Sequence, residues 1–300
     1  MTNISFTIRG VIPPLLTPFT GRGETVDEAA LRTHVNWLVD QGVHGVMPCG
    51  TTGEGPLLTM AERKRVVEVV VASVNHRLPV IAHVGALTTH ETLELADHAQ
   101  SCGVEAISIV TPYYFHLSDN ALVEHFCRVA GVVPNTPVFL YNIPQNTGNV
   151  LSRPAVEAII ARCPNVVGIK DSAGDLEALS SLVGLKEGKF QVICGSDTLL
   201  LSALQAGACA SVSGNANVFP EVVVELFHAF WQGDLDGARR QQAHLDQIIE
   251  TLQRGAGLSM FKRVLELRGL KGGAVRPPLP EATAEMLANA QQKLQSYQLL

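Results

Sequence analysis

The sequence predicts an α/β fold, a (β/α)8 (TIM) barrel followed by a C-terminal helical extension. Three observations predict it. Eight short runs rich in Val and Ile recur between Val11 and Gly214. Helical patterns separate them. The first strand–helix turn lacks the G-x-G-x-x-G that opens a doubly wound dinucleotide-binding sheet; Gly21–Arg22–Gly23 is a lone G-x-G in a polar loop.

The runs begin at Val11 (VIPPLL), Val43 (VHGVMP), Pro79 (PVIAHV), Ala106 (AISIV), Pro137 (PVFLYN), Val166 (VVGIK), Gln191 (QVICG) and Cys209 (CASVSG). Their apolarity is continuous, without polar alternation, as suits parallel strands buried on both faces. The helix over 27–41 places Ala30, Leu31, Val35, Leu38 and Val39 on one face. Thr59–Glu62 and Thr88–Glu91 are capping boxes. Ser118, Ser152 and Asp197 are expected N-caps. Gly42, Gly103, Gly131 and Gly207 are expected to end helices. Eight β-then-α units fill a closed barrel over 1–220. Residues 221–300 lack strand signals and read as helices at 221–232, 234–254, 258–268 and 281–298.

Composition narrows the function. Lys plus Arg number 22 against 28 acidic residues, a net charge of −6, which speaks against a nucleic-acid surface. Hydrophobic residues at 46% and charged residues at 17% exclude a disordered chain. No apolar run approaches the roughly 20 residues of a membrane span, and MTNISFTIRG lacks a signal-peptide core. The expectation is a cytoplasmic protein. The six cysteines form no C-x-x-C pair and read as small buried hydrophobes. No H-E-x-x-H occurs among the ten histidines, and no metal site is expected.

Barrel active sites lie where the strands end. Lys170 ends the apolar run Val166–Ile169. An amine there loses solvation, which favours its neutral, nucleophilic form; such an amine can attack a ketone and form a Schiff base. The competing reading is a rim lysine paired with Asp171 or another carboxylate. Tyr141 ends the preceding strand, so its phenol is expected within hydrogen-bond reach of the lysine nitrogen, where it can move protons. The Gly50–Thr51–Thr52–Gly53 turn offers backbone N–H groups and two hydroxyls, a nest suited to a carboxylate. A phosphate site after strands 7 and 8 is disfavoured by Asp197 in Cys194–Gly195–Ser196–Asp197, and Ser213–Gly214–Asn215 is a weak anion loop.

Four motifs in order, Gly50–Glu54 (GTTGE), Thr111–Tyr114 (TPYY), Tyr141–Gly148 (YNIPQNTG) and Gly168–Ser172 (GIKDS), resemble the dihydrodipicolinate synthase / N-acetylneuraminate lyase family of class I, pyruvate-handling aldolases. The resemblance runs from about Gly10 to Pro280. It implies Lys170 as the Schiff-base lysine for pyruvate or another 2-oxo acid, and Tyr141 as acid/base. It implies that Gly50, Thr51 and Thr52 hold the 2-oxo acid carboxylate, with Thr51 also in a proton relay. Tyr114 would complete that relay from a neighbouring subunit, and Gly195 and Val212 would line the pocket. It further implies a homotetramer, a dimer of dimers, with no cofactor and an aldehyde as second substrate.

One position departs from the synthases that condense pyruvate with aspartate semialdehyde. They carry an arginine where this sequence has Asn146. An amide hydrogen-bonds hydroxyls but lacks the bidentate charged grip. Asn146 therefore fits a hydroxylated partner or a small aldehyde, and this stretch resembles 4-hydroxy-2-oxo acid and 2-keto-3-deoxy sugar-acid aldolases more than the synthase. The synthase remains the alternative. A non-catalytic 2-oxo acid binding protein is the alternative of another class.

Overall fold

The computed structural model describes residues 6–253 and 257–300. In chain order it contains β1 (Gly10–Val11), α1 (Glu28–Asp40), α2 (Met60–Val74), β2 (Ile81–His83), α3 (Thr89–Ser101), β3 (Ala106–Val110), α4 (Asp119–Val132), β4 (Val138–Asn142), α5 (Pro144–Thr147), α6 (Arg153–Arg162), β5 (Val166–Asp171), α7 (Leu176–Leu182), β6 (Gln191–Cys194), α8 (Leu200–Gln205) and β7 (Ala210–Ser211). The C-terminal helices are α9 (Pro220–Trp231), α10 (Leu235–Gln253), α11 (Leu258–Leu267) and α12 (Ala284–Ser296). The expected end of the helix over 234–254 includes Arg254, which lies outside the described residues. The described residues divide into two compact units: 6–9 with 79–212, and 10–78 with 213–253 and 257–300.

In the first unit, β2 to β7 pair in parallel, each strand beside the next in sequence. Every residue of β3, β4 and β5 is buried, which is what their unbroken apolarity requires of a sheet covered on both faces. Tyr141 stands opposite Lys170, and Asn142 opposite Asp171. Side chains alternate along a strand, so Tyr141 and Lys170 share one face while Asn142 and Asp171 share the other. Gly168 sits opposite Phe139 on the lysine's face; a Cβ there would lie 2.6 Å from the Phe139 ring.

The second unit carries β1, the helices α1 and α2, and the C-terminal helices. Here the expected strand over 43–48 does not form as a regular strand, so seven strands rather than eight occur among the described residues. The pairing survives in part: His44 N–H donates to Val11 O at 2.8 Å, Met47 N–H to Pro13 O at 3.0 Å, and Leu15 N–H to Met47 O at 2.9 Å. Pro13 and Pro14 have no N–H to give, which interrupts the ladder and leaves an isolated bridge between Pro14 and Met47.

Both capping boxes are present, at Thr59–Glu62 and Thr88–Glu91, and Ser118 and Ser152 cap α4 and α6. Two expected helix ends differ. Gly131 lies inside α4, which runs to Val132; Pro134 stops it, because the residue before a proline is pushed out of the helical region. Asp197 starts a short 3-10 turn over Asp197–Leu199, and α8 begins only at Leu200. No described helix is long and apolar enough to cross a membrane.

Candidate active site

Lys170 is 5% exposed. Its Nζ lies 3.8 Å from the centroid of the Tyr141 ring. That nitrogen lies over the face of the ring, a cation–π contact. Asp171, the nearest carboxylate in sequence, points to the opposite face. Its Oδ2 accepts from Asn142 Nδ2 at 2.7 Å and its Oδ1 from Ala173 N–H at 3.0 Å. Burial pushes the Asp171 carboxyl above its ordinary value, and the Asn142 hydrogen bond opposes that. Among the described residues no carboxylate forms an ion pair with Lys170.

Four further residues belong to this part of the molecule. His83 packs edge-on against Tyr141, ring centroids 5.8 Å apart, and is buried. Ser108, its partner across the strands, is fully buried, and its hydroxyl has no hydrogen-bond partner among the described residues. Neither residue was singled out from sequence; a histidine inside PVIAHV, two positions from Ile81 on the same face, is the signal. Gly195 N–H donates to Asp171 O at 2.7 Å, and a Cβ at 195 would lie 1.9 Å from Ser172 Oγ, so any larger residue here displaces the Ser172 hydroxyl. Val212 is buried and its N–H donates to Cys194 O at 2.9 Å.

The loops after β3 and β4 are tied together by asparagines. Asn149 Nδ2 donates to Pro112 O and Phe115 O, both at 2.8 Å, and its Oδ1 accepts from Leu117 N–H at 2.8 Å. Thr111 Oγ1 donates to Thr147 Oγ1 at 3.0 Å. Gln145 Nε2 donates to Ser172 O at 2.7 Å, whereas Asn146 is exposed on α5. Tyr114 is 84% exposed and held at φ 81. Positive φ is uncommon for a non-glycine residue and persists where surrounding structure enforces it; here the Asn149 pegs fix the adjoining carbonyls.

In the second unit, the Gly50–Glu54 turn closes on itself: Glu54 N–H donates to Thr51 O and Gly55 N–H to Gly50 O, both at 3.0 Å. Thr51 and Thr52 are half-buried. Cys49 and Glu54 flank the turn at φ 63 and φ 57, left-handed conformations that cost roughly 1–2 kcal/mol each. Thr17 Oγ1 donates to Gly53 O at 2.7 Å, and a Cβ at Gly53 would lie 2.6 Å from Leu15 O. Glu54 is buried against Lys262 Nζ at 2.5 Å. Burial pulls the Lys262 ammonium down and the Glu54 charge holds it up.

Comparison with known proteins follows the same lines. The profile of the dihydrodipicolinate synthetase family matches residues 7–297. An uncharacterized DapA-like lyase of Halobacterium salinarum is 42% identical over 272 residues, 91% of this chain and 88% of that one. The 4-hydroxy-tetrahydrodipicolinate synthase of Thermus thermophilus is 39% identical over 293 residues, 97% of each chain. A solved catalytic-lysine mutant of the Ruminococcus gnavus sialic acid aldolase superposes with a TM-score of 0.92 at 28% identity, covering 98% of each chain. The motifs, the lysine–tyrosine pair and these likenesses agree, and the chain belongs to the dihydrodipicolinate synthetase family of class I, pyruvate-dependent lyases.

Proposed function

We propose that the chain is a Schiff-base aldolase that forms or cleaves a 4-hydroxy-2-oxo acid or a 2-keto-3-deoxy sugar acid through a pyruvate enamine on Lys170. The observation that carries this is the buried Lys170 amine set on the Tyr141 ring, with no carboxylate among the described residues ion-paired to it. The Lys170 amine attacks C2 of the 2-oxo acid. The carbinolamine loses water, and the Tyr141 phenol delivers and recovers the protons this needs. The resulting iminium withdraws electrons and acidifies C3. Loss of a C3 proton gives the enamine, which adds to an aldehyde carbon; cleavage runs the same steps backwards. Water then hydrolyses the imine and releases the amine. Gly50, Thr51 and Thr52 take the substrate carboxylate, Thr51 and Tyr114 relay protons, Gly195 and Val212 line the lysine's surroundings, and Asn146 meets the aldehyde partner. No cofactor takes part.

The reading includes a closed eight-membered barrel over 1–220 with a helical extension over 221–300. The hydrogen bonds between 11–15 and 43–47 support the eighth member. It also includes a cytoplasmic homotetramer, a dimer of dimers. Six cysteines kept as thiols suit a reducing compartment, and Tyr114 and Phe115, 84% and 65% exposed, suit a covered surface. The synthase reaction, pyruvate with aspartate semialdehyde, is the second reading, favoured by the Thermus thermophilus relative; Asn146 weighs against it.

Incubation with pyruvate and borohydride, digestion and peptide mass analysis test the proposal. The expected result is one reduced pyruvate adduct, on Lys170. No adduct, or adducts scattered over many lysines, contradicts it. Pyruvate release from a panel of 2-oxo acids then names the partner aldehyde, and binding without turnover of any of them would mark a non-catalytic protein.

A further inference from the structure

Glu54 and Lys262 form an ion pair in which both side chains are 0% exposed. Glu54 is the residue that closes the Thr51–Thr52 turn, while Lys262 lies on α11, near the other end of the chain. Each member is anchored a second time. Glu54 Oε2 accepts from Arg276 N–H at 2.7 Å, and Lys262 Nζ donates to Ala274 O at 2.7 Å and sits 4.4 Å over the Phe19 ring. The Arg276 guanidinium donates to Leu57 O and Gly23 O, both at 2.9 Å, and to the Glu62 carboxylate at 2.7 and 2.8 Å. The turn that carries the two threonines is thus clamped from outside by charges.

Buried ion pairs contribute little to stability beyond what well-packed apolar side chains of the same volume provide. They differ from apolar packing in direction: a carboxylate held by Nζ on one oxygen and by N–H on the other has one orientation. Glu54 is also left-handed, so its side chain and the turn's backbone are set together. We propose that Glu54 and Lys262 are positioning residues for the 2-oxo acid carboxylate: their ion pair holds Thr51 and Thr52 in the orientation that receives it. This rests on the carboxylate role given to those threonines under the proposed function.

The test compares pyruvate with pyruvamide, which has the same ketone and no charge, in borohydride trapping on the full-length enzyme and on the E54Q/K262M variant. Glutamine in place of Glu54 still accepts from the Arg276 N–H, and methionine in place of Lys262 keeps the apolar stem, while both charges are gone. The pyruvate concentration for half-maximal trapping should rise at least about tenfold, as loss of a charge-assisted contact predicts. The value for pyruvamide should move less than about twofold, with the adduct still on Lys170 at saturation. An unchanged pyruvate value, or equal weakening for both compounds, overturns the inference, since a purely structural role affects both alike. If the double variant does not fold, K262M alone, in which the Glu54 carboxylate still accepts from the Arg276 N–H, decides: a selective rise of about threefold supports the inference and no selective rise overturns it. A wild-type enzyme that forms no adduct sinks the Schiff-base reading and this inference together; a wild-type adduct with an unselective variant sinks this inference alone.

Discussion

Lys170 keeps its amine on a ring face, and that geometry separates two contributions of Tyr141. Phenylalanine at 141 retains the ring under Nζ and loses only the phenol. Tyr141→Phe should therefore lower kcat by about 10²- to 10⁴-fold, the usual worth of a general acid/base, with KM changed little. Steady-state kinetics with the best substrate of the panel checks this, and a kcat within a few-fold of wild type contradicts it. Asn146→Arg reads the second substrate: turnover should fall for a partner without a carboxylate at that end, and a gain with aspartate semialdehyde would instead support the synthase reaction. Lys170 stands out in the sequence because it closes an apolar run, and the surrounding motifs rather than the run itself weigh against a rim lysine paired with a carboxylate. The ring contact was not legible, since it depends on a rotamer. Lys262 was not, because its partner lies some two hundred residues away and nothing local marks a lysine on an amphipathic helix as buried.

At the scale of elements, strands and capping boxes were read from local chemistry, and the misses have local causes too. Pro13 and Pro14 remove the donors that a regular second strand needs, and Pro134 stops α4 where a glycine was expected to. Gly168 shows how tightly β4, β5 and β6 meet. A Cβ there would lie 2.3 Å from Gln191 O and 2.6 Å from the Phe139 ring. Gly168→Ala should destabilise by about 1–3 kcal/mol, the usual cost of overpacking, and thermal unfolding with an unchanged Tm would contradict this. Helix α1 carries an acid-sensitive group. His34 is fully buried, its Nε2–H donates to Asn217 O at 3.0 Å, and burial pushes it down to about 4. Its folded value lies below its unfolded one, so the unfolded chain binds the proton first as pH falls. Its contribution is intact above about pH 6.5 and is lost progressively toward pH 4. His34→Gln should make the stability difference between pH 7 and pH 4.5 smaller by roughly 2 kcal/mol. Denaturant unfolding at both pH values measures it, and the same stability difference in variant and wild type would falsify the assignment.

For the whole molecule, the alternation of apolar runs and helices carried the α/β class with its parallel sheet, and four motifs carried the family. The two compact units could not be read, because each joins segments far apart in sequence. The proposed tetramer is tested by sedimentation: a species of about four times 32.1 kDa is expected, and a monomer at micromolar concentration contradicts it. The account as a whole depends on a covalent bond at Lys170. A crystal soaked with pyruvate tests it most directly. Continuous density from Nζ to the keto carbon is the result predicted here, and an ordered pyruvate separated from that nitrogen by solvent contradicts it.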